Sequence, residues 1–308
     1  MRDFDEHRAS KRRRQFDDDE PHLLKRVRRE APAQSTVDDE PGSGDRWSTW
    51  DQSAAGERGP RPYPDWLVTE LAAVDTELGT VKTGKEADVF LVSRGVPGTD
   101  RQCLLAAKRY RSAEHRMFHR DAGYLEGRRV RQSRTTRAMG NRTAFGRQII
   151  AGQWAAAEFA TLSRLWRVAG ELGTAPAVPY PVQLLGTEVL LEFIGDWETG
   201  EAAPRLAQLR PDADELRDLW NQLLDGMVLL ARCGYAHGDL SPYNVLVHRG
   251  RLVLIDLPQV VDVVANPNGA AFLARDVRNV VSWFTARGLS GVDDHELTSE
   301  LLREAGMR

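Results

Sequence analysis

Hydrophobic positions alternate with polar ones over two stretches, TVKTGKEADVFLVSRG and LLAAKRY (residues 104–110), and this period of two predicts strands. The first stretch reads as two short strands around a glycine turn. A hairpin is expected in QLLGTEVLLEFIG, and another where VLVH and RLVLID flank the Arg249–Gly250 turn. Elsewhere the period lengthens. Residues 148–169 (QIIAGQWAAAEFATLSRLWRVA) predict a helix rich in alanine and leucine. Residues 214–232 predict a second, with Leu216, Leu219, Leu223, Met227 and Leu230 on one face and Gly234 at its end. Leu67, Leu71, Val74 and Leu78 also recur at helical spacing behind Asp65, so a helix capped by Asp65 and closed at Gly79 is expected there. From about Ala270 the chain reads as helical. Strands first, then a helix, a hairpin and mostly helix describe an α+β protein of two lobes, one small and sheet-rich, one larger and helical, with a cleft between them.

Two segments lack such patterning. Residues 1 to about 60 alternate KRRR and DDDE with PAQST, PGSG and GERGP, and read as a disordered mixed-charge tail. The expected domain is therefore 61–308. Residues 111–147 hold Arg128, Arg129, Arg131, Arg134, Arg137 and Arg142 with little apolar periodicity, and read as a loop. This basic loop and the tail are candidate contacts for RNA or ribosomal particles, and Ser133, Thr135 and Thr136 are candidate autophosphorylation sites.

Across 308 residues the formal net charge of −3 gives no overall attraction to nucleic acid or membrane. The two cysteines, Cys103 and Cys233, lie far apart without CxxC or zinc-ligand spacing, which argues against a zinc site or a disulfide framework. No apolar run approaches the roughly 20 residues that span a bilayer. A cytoplasmic location is expected.

The chemistry is concentrated in HGDLSPYNVLV (237–247), followed by LID ending at Asp256. Phosphoryl transfer needs a carboxylate to orient the attacking hydroxyl and oxygen ligands to hold a divalent metal against the phosphates. The H-x-D-x-x-x-x-N loop offers Asp239 as catalytic acid/base and Asn244 as metal ligand, and the hairpin returns Asp256 beside them as a second ligand. Upstream, Lys108 follows small and apolar residues in a strand, where an ammonium can hold phosphates. Glu158, interrupting WAAAEFATL, is the candidate to fix it. Thr83, Gly84 and Lys85 form a turn where glycine permits close approach to phosphate and the neighbours offer donors. That turn is neither GxxxxGK[ST] nor GxGxxG, so a Walker-type fold is rejected.

Together these residues resemble the RIO family of atypical protein kinases over about residues 75–288. The resemblance is carried by TGKEADVF at 83–90, AAKRY, WAAAEFATL, LLEFIG at 190–195, HGDLSPYNVLV, IDLPQVVD and FLARDVRN at 272–279. It implies a kinase-like fold with a truncated helical lobe, the lobes dividing near 191/192, with Glu192 and Ile194 meeting the adenine through their backbones. It also implies ATP as substrate, Mg2+ or Mn2+ as cofactor, transfer to serine or threonine hydroxyls including the chain's own, and ATPase activity. In some family members the metal-binding aspartate itself accepts phosphate, which marks Asp256 as a candidate acceptor. Asp88 stands where the family usually has Asn, Pro242 where it commonly has Glu, and Leu257-Pro258 where it has a Val-Ser type pair. Two other readings remain: a small-molecule phosphotransferase of the aminoglycoside or homoserine kinase kind, and an ATPase switch factor on ribosomal or RNA particles.

Overall fold

The computed structural model describes residues 41–111 and 144–307. Six antiparallel strands build the sheet of the first half: β1 (Arg46–Trp47), β2 (Val74–Thr83), β3 (Ala87–Gly95), β4 (Gln102–Tyr110), β5 (Pro181–Leu185) and β6 (Glu188–Glu192). Their spatial order is β1-β2-β3-β4-β6-β5. The pleat of β4 sorts its side chains by face. Cys103, Leu105 and Ala107 enter one cluster, with Val92, Val182 and Leu190. Leu104, Ala106, Lys108 and Tyr110 take the other face, where Leu91 and Phe193 meet Leu104.

The face holding Cys103 is covered by the segment that precedes β2. Trp50 (3 % exposed), Tyr63, Leu67 and Val68 pack on it. Arg46 and Trp47 pair with Asp75 and Val74, and Arg58 bridges to Gln183. The stretch 41–60, which its polar composition assigns to a disordered tail, is thus partly built into the sheet. A single buried tryptophan contributes apolar area that a composition average dilutes. Residues 1–40 lie outside the described residues, as do 112–143 of the arginine-rich stretch.

The expected helix over 65–78 does not form. Residues 65–73 run through turns, and Val74 begins the ten-residue β2. The spacing of four leucine and valine positions is a coincidence of burial. Leu67 is buried, but Leu71 and Leu78 are 80 % and 53 % exposed, so no apolar face exists for a helix to bury. In the strand, Asp75 sits opposite Arg94 and accepts from its Nε at 2.7 Å and Nη2 at 2.9 Å.

The expected helix at 148–169 is observed as α1 (Ala144–Leu172), longer at both ends. It packs Ala155, Phe159, Leu162, Leu165 and Ala169 into the main core, with Val189 and Leu191 of the sheet. In the second half, α2 (Ala213–Arg232) is capped by Asp212, whose side chain accepts from the amides of Asp214 and Glu215, and it buries the five predicted apolar positions. Gly234 follows at φ +76, the left-handed conformation that ends a helix. A short ladder joins β7 (Tyr235–Ala236) to β10 (Val261–Asp262). Between them lies the hairpin of β8 (Val245–His248) and β9 (Arg251–Leu254). Its turn residues Arg249 and Gly250 have φ of +51 and +75, the conformation that matches the twist of a tight hairpin. Finally α3 (Gly269–Thr285) and α4 (Asp294–Glu304) close the core with Leu273, Val277, Val280, Phe284, Leu297 and Leu301. Among the described residues no helix is long and apolar enough to cross a membrane.

Candidate active site

The register of the sheet aims Lys108 at α1 and at the end of β9. Its ammonium donates to Glu158 Oε1 at 2.8 Å and to Asp256 Oδ1 at 2.7 Å. Burial alone would push this lysine down, but the two carboxylates more than reverse that and hold it above the ordinary lysine range. Glu158, 1 % exposed, also accepts from the Tyr110 hydroxyl at 2.5 Å and the Leu257 amide at 3.2 Å. Tyr110 lies two residues beyond Lys108, hence on the same face of β4. Burial and the Glu158 charge push its hydroxyl well above the ordinary tyrosine range, so it stays a donor.

Asp256 has φ +70, a conformation that costs a non-glycine residue about 1–3 kcal/mol and persists only where its surroundings impose it. Burial raises the pKa of its carboxyl, yet Lys108 foremost, then Lys82 and His237, bring it below the ordinary aspartate value. Asn244 sits alongside: its carbonyl accepts the Ile255 amide at 3.0 Å, and its side-chain amide donates to the Asp239 carbonyl at 2.9 Å. Nδ2 of Asn244 being engaged, its Oδ1 is left for another ligand.

The loop carrying Asp239 is fixed from below by α3. Asp276, 1 % exposed, accepts from the amides of Gly238 at 2.7 Å and Leu240 at 3.0 Å. Asn279 donates to the Leu240 carbonyl at 3.1 Å, and Arg275 to that of Gly238. His237 shares a hydrogen bond with the Ile255 carbonyl at 3.0 Å. Gly238 has φ +84, and a Cβ there would stand 2.5 Å from the Gln259 carbonyl, so no other residue fits without displacement. Within Ala236–Leu240 only Asp239 is exposed.

Thr83, Gly84 and Lys85 form the turn between β2 and β3, with both flanking side chains exposed. The Gly84 amide donates to the Ala87 carbonyl at 3.0 Å, and a Cβ on Gly84 would meet that oxygen at 2.7 Å. The turn is tied across to the segment after Asp256, where Gln259 Nε2 donates to the Glu86 carboxylate at 3.2 Å. Asp88, the departure from the family's usual Asn, is gripped by both arms of Arg111 at 2.6 Å. An aspartate serves this charged fork better than an amide.

Along the connection between the halves, the Glu192 side chain accepts from the Tyr180 amide at 2.9 Å and from Arg251 at 3.0 Å, and the Ile194 carbonyl accepts from the Ala203 amide at 2.9 Å. Beside this connection a recess of about 560 Å³, lined by residues including Val81, Leu91, Leu104 and Trp197, opens on the Lys108 face of the sheet. Lys108, Asp239, Asn244 and Asp256 are not among its lining residues.

The fold therefore brings Lys108, Glu158 and Asp256 into direct contact and sets Asp239 and Asn244 on one loop beside them. Tyr110, Asp276 and Lys82 were not singled out from the sequence. Two signals were available: the two-residue period of β4 for Tyr110, and a lone acid on the apolar Leu273–Val277–Val280 face of α3 for Asp276.

For a divalent cation the site offers hard oxygen donors, one carboxylate and one amide. Among the described residues no group of three or more His, Cys, Asp or Glu could form a cage. That set suits magnesium, which keeps several waters and is bound through one or two carboxylates together with substrate phosphates.

Residues 99–297 match the RIO domain family. The RIO-type serine/threonine-protein kinase Rio1 of Haloferax volcanii is 32 % identical over 221 residues, covering 72 % of this chain and 67 % of that protein. The serine/threonine-protein kinase RIO1 of Chaetomium thermophilum is 31 % identical, with 75 % and 44 % covered, and the human serine/threonine-protein kinase RIO3 is 35 % identical, with 44 % and 25 % covered. The chain thus spans about two thirds of the first and less than half of the other two. In fold it resembles the Rio2 kinase-ADP/Mg2+-phosphoaspartate complex from Chaetomium thermophilum, with a TM-score of 0.50 at 17 % identity, over 75 % of this chain and 64 % of that one.

Proposed function

Because the chain belongs to the RIO family, whose matched relatives are serine/threonine protein kinases, we propose that it transfers the terminal phosphate of ATP to serine or threonine hydroxyls, its own included. The observation that carries this reading is the contact of one buried lysine with both Glu158 and Asp256. An ammonium has three donors. Two are used here, and the third is left for a phosphate oxygen.

In this reading the sheet-bearing half, through Leu191, and the helical half, from Glu192, act as two lobes around the nucleotide. Glu192 and Ile194 offer backbone groups to the adenine. Thr83 and Lys85 approach the phosphates over Gly84, whose missing side chain permits it. Asp256 and Asn244 hold magnesium, which when bound supplies charge neutralisation at the phosphates. Manganese, with similar oxygen preference, is expected to substitute. Asp239 orients the acceptor hydroxyl and takes its proton as the new ester bond forms. Its exposure, between the buried Gly238 and Leu240, supports that role.

The test is incubation with radiolabelled ATP, comparing the wild type with Asp239→Ala. Incorporation of acid-stable label by the wild type alone supports transfer to serine or threonine. Equal labelling of both proteins would refute the assignment of Asp239. A label lost in acid and released by hydroxylamine would instead point to an acyl phosphate on an aspartate, for which Asp256 is the candidate.

A further inference from the structure

β2 and β3 pair regularly from Val74 as far as Glu77 opposite Val92, then slip twice. The second irregularity lies between Thr80 and Lys82. Thr80 opposes Phe90, and Lys82, rather than Val81, opposes Val89. A bulge of this kind re-aims a side chain. Without it, Lys82 would stand opposite Asp88, on the far face of the sheet. With it, Lys82 shares a face with Val89, and Val89 in turn opposes Lys108 on β4. Two strand spacings set the Lys82 and Lys108 backbones ~10 Å apart, so both ammonium groups overhang the same part of the cleft.

The charges around Lys82 agree with that placement. Partial burial, the Arg205 guanidinium and Lys108 lower its pKa, while Asp256 draws it up. Arg205 belongs to the helical half, where it also donates to the Tyr243 carbonyl. Lys82 therefore faces the end of β9 with positive neighbours on two sides. Among the described residues no ion pair or hydrogen bond engages its ammonium. Lys82, Arg205 and Lys108 thus set three cations against the two carboxylates of Asp256 and Glu158, an excess of positive charge that an anion bearing several charges would offset.

We propose that Lys82 is a further phosphate ligand of this cleft, beyond Lys108 and the Thr83–Lys85 turn, which grips the terminal phosphate oxygens of a bound nucleoside triphosphate from the side opposite Lys108. The assignment rests on the nucleotide-binding reading above. It makes the site selective for the number of phosphates, since a monophosphate ends short of Lys82 while a triphosphate reaches it.

Calorimetric titration of the full chain with ATP and AMP, in magnesium, tests this. Lys82→Ala is expected to weaken ATP binding about tenfold and to leave AMP within about twofold, while Lys82→Arg keeps most of the ATP affinity. Lys82 is exposed in a surface hairpin, so its truncation is compatible with folding. Equal ATP affinity in wild type and Lys82→Ala would overturn the proposal. So would equal losses for ATP and AMP, which would indicate a distorted loop, or a loss confined to the KM for an acceptor protein. If the wild type binds neither nucleotide, the nucleotide reading itself fails, a result distinguishable from these.

Discussion

The ammonium of Lys108 lies 2.7 Å from the carboxylate of Asp256, although 148 residues separate them in the chain. The same ammonium meets Glu158 of α1 at 2.8 Å. One cation therefore joins the sheet, the long helix and the end of the β8–β9 hairpin. Lys108 and Glu158 are buried while Asp256 is partly exposed, so removing either of the first two leaves buried charge poorly compensated, and the three side chains depend on one another through Lys108.

Glu158→Ala should show that dependence most clearly. It strips an acceptor from Lys108, from the Tyr110 hydroxyl and from the Leu257 amide. A loss of about 3 kcal/mol in urea unfolding is expected, and phosphate transfer should fall about a hundredfold as the lysine loses its orientation. Stability within about 0.5 kcal/mol of the wild type would show that Glu158 does not hold the lysine.

Asp239→Ala should behave in the opposite sense. The Asp239 side chain is exposed, and among the described residues it is the backbone carbonyl of Asp239, not its carboxylate, that takes part in a hydrogen bond. Stability should stay within about 0.5 kcal/mol, with ATP affinity largely kept, while transfer falls about a thousandfold. Calorimetry, unfolding and a transfer assay on one preparation separate these outcomes.

Asp276→Ala should destabilise by about 3 kcal/mol, because two buried amides, Gly238 and Leu240, lose their acceptor. Asp276→Asn keeps one acceptor oxygen and should recover part of that loss. The activity lost in Asp276→Asn should lie in kcat rather than in nucleotide affinity, since the side chain positions the Asp239 loop without facing the cleft. An unchanged thermal midpoint for Asp276→Ala would remove the positioning role.

Acid should loosen the sheet through Glu188. Burial pushes its pKa up, but Arg109 and Arg46, at 2.5 and 2.8 Å, bring it below the ordinary 4.5. A carboxyl lowered on folding contributes stability above its unfolded pKa, and that contribution is lost as pH falls through the folded value. Urea midpoints should therefore drop between about pH 5 and about pH 3, and Glu188→Gln should flatten that limb. Parallel curves for both proteins would show that Glu188 does not contribute.

Where the chain alternates cleanly, as in AAKRY and around Arg249–Gly250, sequence pattern and structure coincide, because one face of each strand is buried and the other is not. The long helices were legible for the same reason. The segment before Val74 was not. Its burial depends on single residues, Trp50, Leu67 and Val68, reaching a sheet face completed by strands far along the chain, and local periodicity carries no trace of that. Lys108, Glu158 and Asp256 could be grouped from motif order. Lys82 could not, since only a register slip between two strands sets it beside them.

The order of strands has a practical consequence for anyone dissecting this protein. The family match opens at residue 99, in the turn between β3 and β4. A piece excised at that boundary would lack β1, β2 and β3 and the segment that covers the Cys103 face. Nine backbone pairings along β4, from Gln102 to Tyr110, would be left open beside bare apolar side chains. Such a rim is a template for neighbouring molecules, and the fragment should precipitate rather than fold, even though it keeps Lys108, Asp239 and Asp256.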